Sequence, residues 1–219
     1  MLLVGEIFNS ISGEVGLFPQ GIPCTFLRLA GCNYQCGYCD TKNYISSKSG
    51  ILMPVPVVAE RVKSKGLTNI VVTGGEPLLQ KHYLIPLLEN LYRNRNVKIS
   101  IETNGSIEIP ELPKMRNRIG WVIDVKMPRS GHYDPMWVKK LPEDLNSNDW
   151  FKFVLCDDED YKKAVECYRL IKDLGFKSRI AFSPVFPHCN TAILFDKMIK
   201  DSLHDVVMNI QIHKFIELP

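Results

Sequence analysis

No stretch of this sequence is long and apolar enough to cross a bilayer, and its opening apolar run, Met1-Leu2-Leu3-Val4, is stopped by Glu6 before it could serve as a secretion leader. A cytoplasmic protein is expected. A surplus of charge of one sign is also lacking: 27 Lys and Arg against 24 Asp and Glu leave a net charge of +3. The small basic clusters Arg93-Asn94-Arg95 and Lys162-Lys163 read as solvated faces, so no direct binding of RNA or DNA is expected. Nor is there a linker that would divide the chain. Its 219 residues read as one domain, 1–219, large enough to bury a core without disulfide staples. In a reducing compartment the seven cysteines stay free. Cys24, Cys156, Cys167 and Cys189 read as ordinary small buried or partly buried residues.

The other three cysteines are crowded into the eight residues Cys32-Asn-Tyr-Gln-Cys36-Gly-Tyr-Cys39. Three thiolates can hold three irons of a four-iron cluster and leave the fourth open for chemistry, whereas a structural metal site closes its coordination with a fourth protein ligand. The segment follows the strand-like run Thr25 to Leu29 and opens with Gly31, which lets the backbone turn tightly around a bulky inorganic group. Spacing alone leaves zinc open, with Cys24, His82 or Asp40 as fourth ligand, although zinc sites more often come as two separated Cys-x2-Cys pairs. Further on, Ile70-Val-Val-Thr73-Gly74-Gly75-Glu76-Pro77 is a β-branched strand ending in a glycine pair. Two glycines let backbone carbonyls approach an ammonium group, and Pro77 ends the strand. Taken alone, that tetrapeptide would be only a turn.

Strand-like and helix-like segments alternate, as in parallel strands joined by crossover helices. Candidate strands are Thr25 to Leu29, Asn69 to Thr73, Lys98 to Glu102, Trp121 to Val125, Phe151 to Leu155 and Ser178 to Phe182. Helical periodicity covers Val55 to Lys65 and Asp158 to Leu174, the latter starting among acidic residues and stopping at Gly175. Pro77 to Arg93 also reads as helix, kinked or shortened at Pro86. The stretch from Gly131 to Asn148 reads as connecting loop with a short helix at most. Cys32, Gly74, Glu102, Lys126 and Ser183 all fall at or just beyond a strand end, where parallel α/β folds gather their chemistry.

The three-cysteine motif, with Tyr38 before its last member, together with Gly74-Gly75-Glu76-Pro77, resembles the radical S-adenosylmethionine superfamily. Within it, the chain resembles the 7-carboxy-7-deazaguanine synthase family along nearly its whole length. The matching segments are Glu6-Ile-Phe-Asn-Ser-Ile11-Ser12-Gly13-Glu14, Arg28-Leu-Ala-Gly-Cys32, Asp40-Thr41, Ile101-Glu102-Thr-Asn-Gly105 and Gln211-Ile-His-Lys-Phe-Ile-Glu-Leu-Pro219. The fold this implies is α/β, an incomplete TIM-like β/α barrel of about six parallel strands with the radical SAM core.

The resemblance implies a 4Fe-4S cluster on Cys32, Cys36 and Cys39, whose open iron chelates S-adenosylmethionine (SAM) for reductive cleavage to a 5'-deoxyadenosyl radical. Cofactor contacts are expected at Tyr38, Cys39, Asp40, Gly75, Asp124, Val125, Lys126, Ser183, Pro184, Val185 and Phe186. The implied reaction takes 6-carboxy-5,6,7,8-tetrahydropterin to 7-carboxy-7-deazaguanine by hydrogen abstraction, ring contraction and loss of ammonia. Arg28 offers the substrate carboxylate a planar bidentate partner. Ile11, Ser12, Gly13 and Thr73 frame the pterin, Glu14 accepts from its amino-pyrimidine edge, and Thr41 is a Mg2+ ligand. Glu102 and Lys126 are candidates for proton transfer. Pro219 reaches the substrate with its terminal carboxylate, so an added C-terminal tag is expected to raise the substrate KM. Expected partners are an electron donor such as flavodoxin or ferredoxin and a second copy of the chain in a homodimer.

One segment departs from the family pattern: Asp124-Val125-Lys126 stands where Ser-Pro-Lys is expected, which puts the contact of Asp124 in doubt. Two other readings share the cysteines. A glycyl-radical activating enzyme would not need Arg28, Thr41 and Pro219. A non-catalytic zinc or iron-sulfur module would be told apart by metal analysis.

Overall fold

The computed structural model describes residues 1–185, 189–216 and 218. Among the described residues nine strands form one sheet: β1 Leu2–Ile11, β2 Pro23–Leu29, β3 Ile51–Met53, β4 Asn69–Gly74, β5 Lys98–Thr103, β6 Ile119–Asp124, β7 Trp150–Leu155, β8 Arg179–Pro184 and β9 Val206–Met208. The spatial order is β3-β1-β2-β4-β5-β6-β7-β8-β9. From β2 to β9 every neighbouring pair is parallel, while β1 pairs antiparallel with both β2 and β3. The sheet is therefore larger than the six strands expected. Gly5, Glu6 and Asn9 break the alternation that would mark β1, its register slips between Val4 and Glu6, and β3 and β9 are only three residues long.

The crossover helices are α1 Val55–Lys63, α2 Lys81–Tyr92, α3 Asp158–Asp173 and α4 Thr191–Lys200. Helix α2 buries Leu84, Leu87, Leu88 and Leu91. It runs through Pro86 because that residue sits on the solvent face, and a separate 3-10 turn, Pro77–Gln80, precedes it. Helix α3 is capped by Asp157, whose side chain accepts from the backbone N–H groups of Glu159 and Asp160. Helix α4 escaped the sequence reading, since apolar residues surround it and only Leu194 and Met198 are buried. The 131–148 region is loop with a 3-10 turn at Trp137–Lys140.

Side chains alternate across a strand, and that alternation sorts each strand into an outer and an inner set. Leu27 and Leu29 of β2, Ile70 and Val72 of β4, Ile99 and Ile101 of β5, Trp121 and Ile123 of β6, Phe151 and Phe153 of β7 and Ile180 and Phe182 of β8 belong to the main core, shared with the helices. On the inner face, the segment after β1 packs Val15 against Val122, Trp150 and Ala181, and Phe18 against Cys24 and Val71. It fills only the N-terminal end of that face. Beyond it the same inner rows continue to Arg28, Thr73, Glu102, Asp124, Lys152 and Ser183, which all line one cavity.

Candidate active site

The cavity measures about 240 Å³ and lies at the C-terminal ends of the parallel strands. Its wall includes Cys32, Cys36 and Cys39 together with the six inner-row residues, so the cysteine loop and the polar strand ends face one space.

Backbone contacts fix the cysteine loop. Gly31 turns the chain at φ +93°, the N–H groups of Gly31 and Cys32 donate to the carbonyls of Tyr44 and Ile45 at 2.8 and 2.9 Å, and those of Gly75 and Glu76 donate to Leu29 and Gly31 at 2.8 Å each. The glycine pair is pressed against this loop: a Cβ on Gly75 would lie 2.1 Å from the Gly31 carbonyl oxygen. Glu76 is fully buried. Its carboxylate accepts from the N–H of Leu78 (2.8 Å), the hydroxyl of Thr103 (2.9 Å) and the N–H of Asn104 (2.6 Å). It thereby ties the end of β4 to the end of β5, with burial pushing its pKa up. Asn104, held in this way, directs its side-chain amide at Cys32 Sγ, 3.7 Å away. On the loop's other side Tyr34 stacks on His132, with ring centroids 4.2 Å apart, and the N–H of Gln35 donates to His132 Nε2 at 3.0 Å.

The three thiols face one space. Among the described residues no three His, Cys, Asp or Glu side chains converge on a single metal-sized point, yet all three cysteines front the same cavity. Burial raises the pKa of Cys32 and Cys36, and the Lys126 ammonium opposes that shift in both. Beside them the Tyr38 hydroxyl and one Asp124 carboxylate oxygen are buried without a hydrogen-bond partner among the described residues, an uncommon condition that marks polar positions a ligand can satisfy. The other Asp124 oxygen accepts from Lys126 Nζ at 2.8 Å. Burial would lower the pKa of Lys126, but Asp124 and then Cys36 outweigh it, so the amine stays cationic. These residues fit an iron-sulfur cluster with an organic cofactor beside it. Thr41 lines the cavity as well, its hydroxyl 3.6 Å from Cys39 Sγ.

Farther along the wall, Lys152 Nζ pairs with Glu14 Oε2 at 2.6 Å, and both side chains are nearly buried. Burial works against ionising Glu14, yet Lys152 outweighs it and the carboxyl is held at about 2. Glu102 is pushed the opposite way, chiefly by burial, and accepts from the Thr73 hydroxyl at 2.7 Å. Two carboxyl groups in one cavity are thus driven in opposite directions, Glu14 down by Lys152 against its own burial and Glu102 up by burial. Arg28 Nε donates to Glu6 at 2.7 Å, and its guanidinium lies 5.6 Å from the ring centroids of both Phe8 and Tyr44. The C-terminal segment crosses this region. The N–H of Ile212 donates to the Gly13 carbonyl at 3.1 Å, Gln211 Nε2 donates to Glu14, and Lys214 lies 3.5 Å from Asp40.

Of the residues expected from sequence, Ser12, Gly13, Glu14, Arg28, Cys32, Cys36, Tyr38, Cys39, Asp40, Thr41, Thr73, Gly75, Glu102, Asp124, Lys126, Ser183, Pro184 and Val185 line the cavity together. Ile11 and Val125 do not, Val125 being 3% exposed within the main core. Phe186 and Pro219 lie outside the described residues. Lys152, Asn104, Gln211 and His213 line the cavity and were missed. A signal for Lys152 was present, since it is the lone charge in Trp150-Phe-Lys-Phe-Val-Leu155 and shares the parity of Trp150. Cys24 and His82 are no partners for the three thiols: Cys24 sits in an apolar cluster with Phe18 and Val71, where burial pushes its pKa up to about 12, and His82 is on the exposed side of α2.

The sequence model of the Radical SAM superfamily matches residues 27–192. A 7-carboxy-7-deazaguanine synthase of Clostridium acetobutylicum is 37% identical over 218 residues, covering 99% of this chain and 96% of that protein. One of Methanospirillum hungatei is 37% identical over 216 residues, covering 99% and 86%. Among solved structures, the crystal structure of QueE from Escherichia coli superposes with a TM-score of 0.73 over 96% of this chain and 93% of that one. At 20% identity that likeness speaks for the fold alone.

Proposed function

The chain belongs to the radical SAM superfamily and, within it, to the 7-carboxy-7-deazaguanine synthases, and from that premise we propose that it converts 6-carboxy-5,6,7,8-tetrahydropterin to 7-carboxy-7-deazaguanine with hydrogen abstraction, ring contraction and loss of ammonia. The observation that carries this reading is the meeting, in one cavity, of three thiols with Arg28, Glu14, Thr73 and Glu102, a donor and acceptor set that complements a small, carboxylated, amino-substituted heterocycle. A 4Fe-4S cluster and SAM, when bound, supply the one-electron chemistry.

The chain's own residues position and protect. Cys32, Cys36 and Cys39 hold the cluster, and the Tyr38 hydroxyl and the one Asp124 oxygen without a hydrogen-bond partner among the described residues bind polar groups of SAM together with Asp40, Gly75, Lys126, Ser183, Pro184 and Val185. Arg28 receives the substrate carboxylate in place of Glu6, its guanidinium kept planar and oriented between Phe8 and Tyr44. Glu14 accepts from the amino-pyrimidine edge, while Ser12, Gly13 and Thr73 line the ring. Glu102, its pKa raised chiefly by burial, exchanges a proton with the substrate during rearrangement. Thr41 would hold Mg2+, an ion that prefers oxygen ligands. We read the sheet as an incomplete β/α barrel forming a single domain over 1–219, active as a cytoplasmic homodimer and reduced by a flavodoxin or ferredoxin.

Substrate carrying deuterium on the carboxylate-bearing ring carbon tests the reading. Deuterium recovered in 5'-deoxyadenosine supports hydrogen abstraction at that carbon, and unlabelled 5'-deoxyadenosine alongside unconsumed pterin overturns it.

A further inference from the structure

Lys152 projects from the inner face of β7 into a cavity that also holds Glu14 from the segment after β1, Glu102 from β5, Asp124 at the end of β6, Lys126 just beyond it, Arg28 from β2 and His213 from the C-terminal segment. Its side chain is 9% exposed and that of Glu14 14% exposed. Replacing a buried ion pair with apolar residues of similar volume is often neutral or stabilising. Stability alone is therefore a weak reason for a lysine among Trp150, Phe151 and Phe153. A carboxylate offers about four acceptor positions, and three on Glu14 are filled: Oε2 takes Lys152 Nζ at 2.6 Å and Asn209 Nδ2 at 3.3 Å, and Oε1 takes Gln211 Nε2. Among the described residues one position remains unfilled, on a residue that lines the cavity.

We propose that Lys152 is a positioning residue for pterin recognition: its ammonium fixes the Glu14 carboxylate so that the remaining acceptor position faces the substrate's amino-pyrimidine edge. The inference rests on the synthase reading. Asn209 and Gln211 hold the same carboxylate from the other end of the chain, and Asn209 is itself fixed by donating to Ser183 Oγ at 2.6 Å. Lys152 acts through Glu14, and the cation also keeps that carboxyl ionised across the neutral range.

The test compares cluster-loaded wild type with Lys152→Met, Lys152→Arg, Glu14→Gln and the Glu14→Gln/Lys152→Met pair. The readouts are pterin KM and kcat, the pH profile of kcat/KM, and SAM cleavage without pterin. Lys152→Met is expected to raise pterin KM roughly 10- to 100-fold, the worth of a hydrogen bond to a charged group, with a smaller change in kcat. An acid limb should rise toward neutral pH in Lys152→Met as Glu14 loses its counter-charge, and Lys152→Arg should restore most of the affinity. The paired variant, which leaves no buried unmatched charge, should match Glu14→Gln alone. That comparison and Lys152→Arg decide the matter if Lys152→Met does not fold. An unchanged KM in Lys152→Met, additive losses in the pair, or an acid limb that does not move would each overturn the proposal. Wild type that cleaves SAM yet never converts pterin would instead remove the synthase reading, and the proposal with it.

Discussion

Replacing Gly75 by alanine would place a methyl carbon 2.1 Å from the Gly31 carbonyl oxygen, 2.5 Å from its carbon and 2.9 Å from the Cys32 nitrogen. Ordinary contact begins at 3.4 Å, so strand end and cysteine loop must separate by about 1 Å, and every obstructing atom is backbone. Overpacking of this kind costs roughly 1–3 kcal/mol. The hydrogen bonds from Gly75 to Leu29 and from Glu76 to Gly31, both 2.8 Å, add about 1 kcal/mol each when stretched. The sum is roughly 3–5 kcal/mol, which for a chain of this size lowers Tm by about 6–20 °C. Gly37→Ala is the control, since the same loop offers no atom within 4 Å of a Cβ there; its stability should stay within about 0.5 kcal/mol of wild type. Thermal unfolding of the metal-free protein gives the first reading, and iron content with SAM affinity after anaerobic reconstitution gives the second. Gly75→Ala should lose on both. A Gly75→Ala protein with wild-type Tm and wild-type SAM affinity would refute the claim that this contact seats the loop.

Asn104→Ala removes the amide 3.7 Å from Cys32 Sγ; donors to cluster sulfurs favour the reduced state, so potentiometry should find the cluster potential lower by roughly 40 mV. Asp149 is fully buried and accepts from Arg116, from the N–H of Trp121 (2.7 Å) and from the N–H of Asn146 (2.8 Å). Asp149→Ala should cost about 3–5 kcal/mol by denaturant titration, because it removes the nearer carboxylate of buried Arg116, leaving among the described residues only Asp144 at 3.5 Å, and takes the acceptor from two backbone N–H groups. The Glu14 carboxyl, held at about 2 against an ordinary 4.5, contributes stability that is fully present above 4.5 and lost as pH falls toward 2. Tm measured across that window should therefore fall less steeply in Glu14→Gln than in wild type.

What the sequence revealed follows from how local each signal is. The cysteine loop and the glycine pair are short motifs, and strands β4 to β8 are β-branched or aromatic runs that alternate or bury both faces. Those features are readable within a dozen residues. The partner of Arg28 was hidden because Glu6 meets it only through antiparallel β1–β2 register, and β1 lacks a clean alternation. Lys152 was overlooked because a single charge in an apolar strand gains meaning only when the inner face is known to be a cavity. Gln211 and His213 reach the residues around Gly13 from nearly 200 positions away, and no local pattern announces such a crossing. Glu76 shows the reverse: it sits inside a recognised motif, yet its carboxylate braces β5 and is absent from the cavity wall.

The most direct test of the central claim is anaerobic turnover of cluster-reconstituted protein with SAM, Mg2+, a strong reductant and 6-carboxy-5,6,7,8-tetrahydropterin, with products identified by mass spectrometry. The account predicts 7-carboxy-7-deazaguanine formed together with 5'-deoxyadenosine and methionine. Methionine and 5'-deoxyadenosine with the pterin left intact would contradict it.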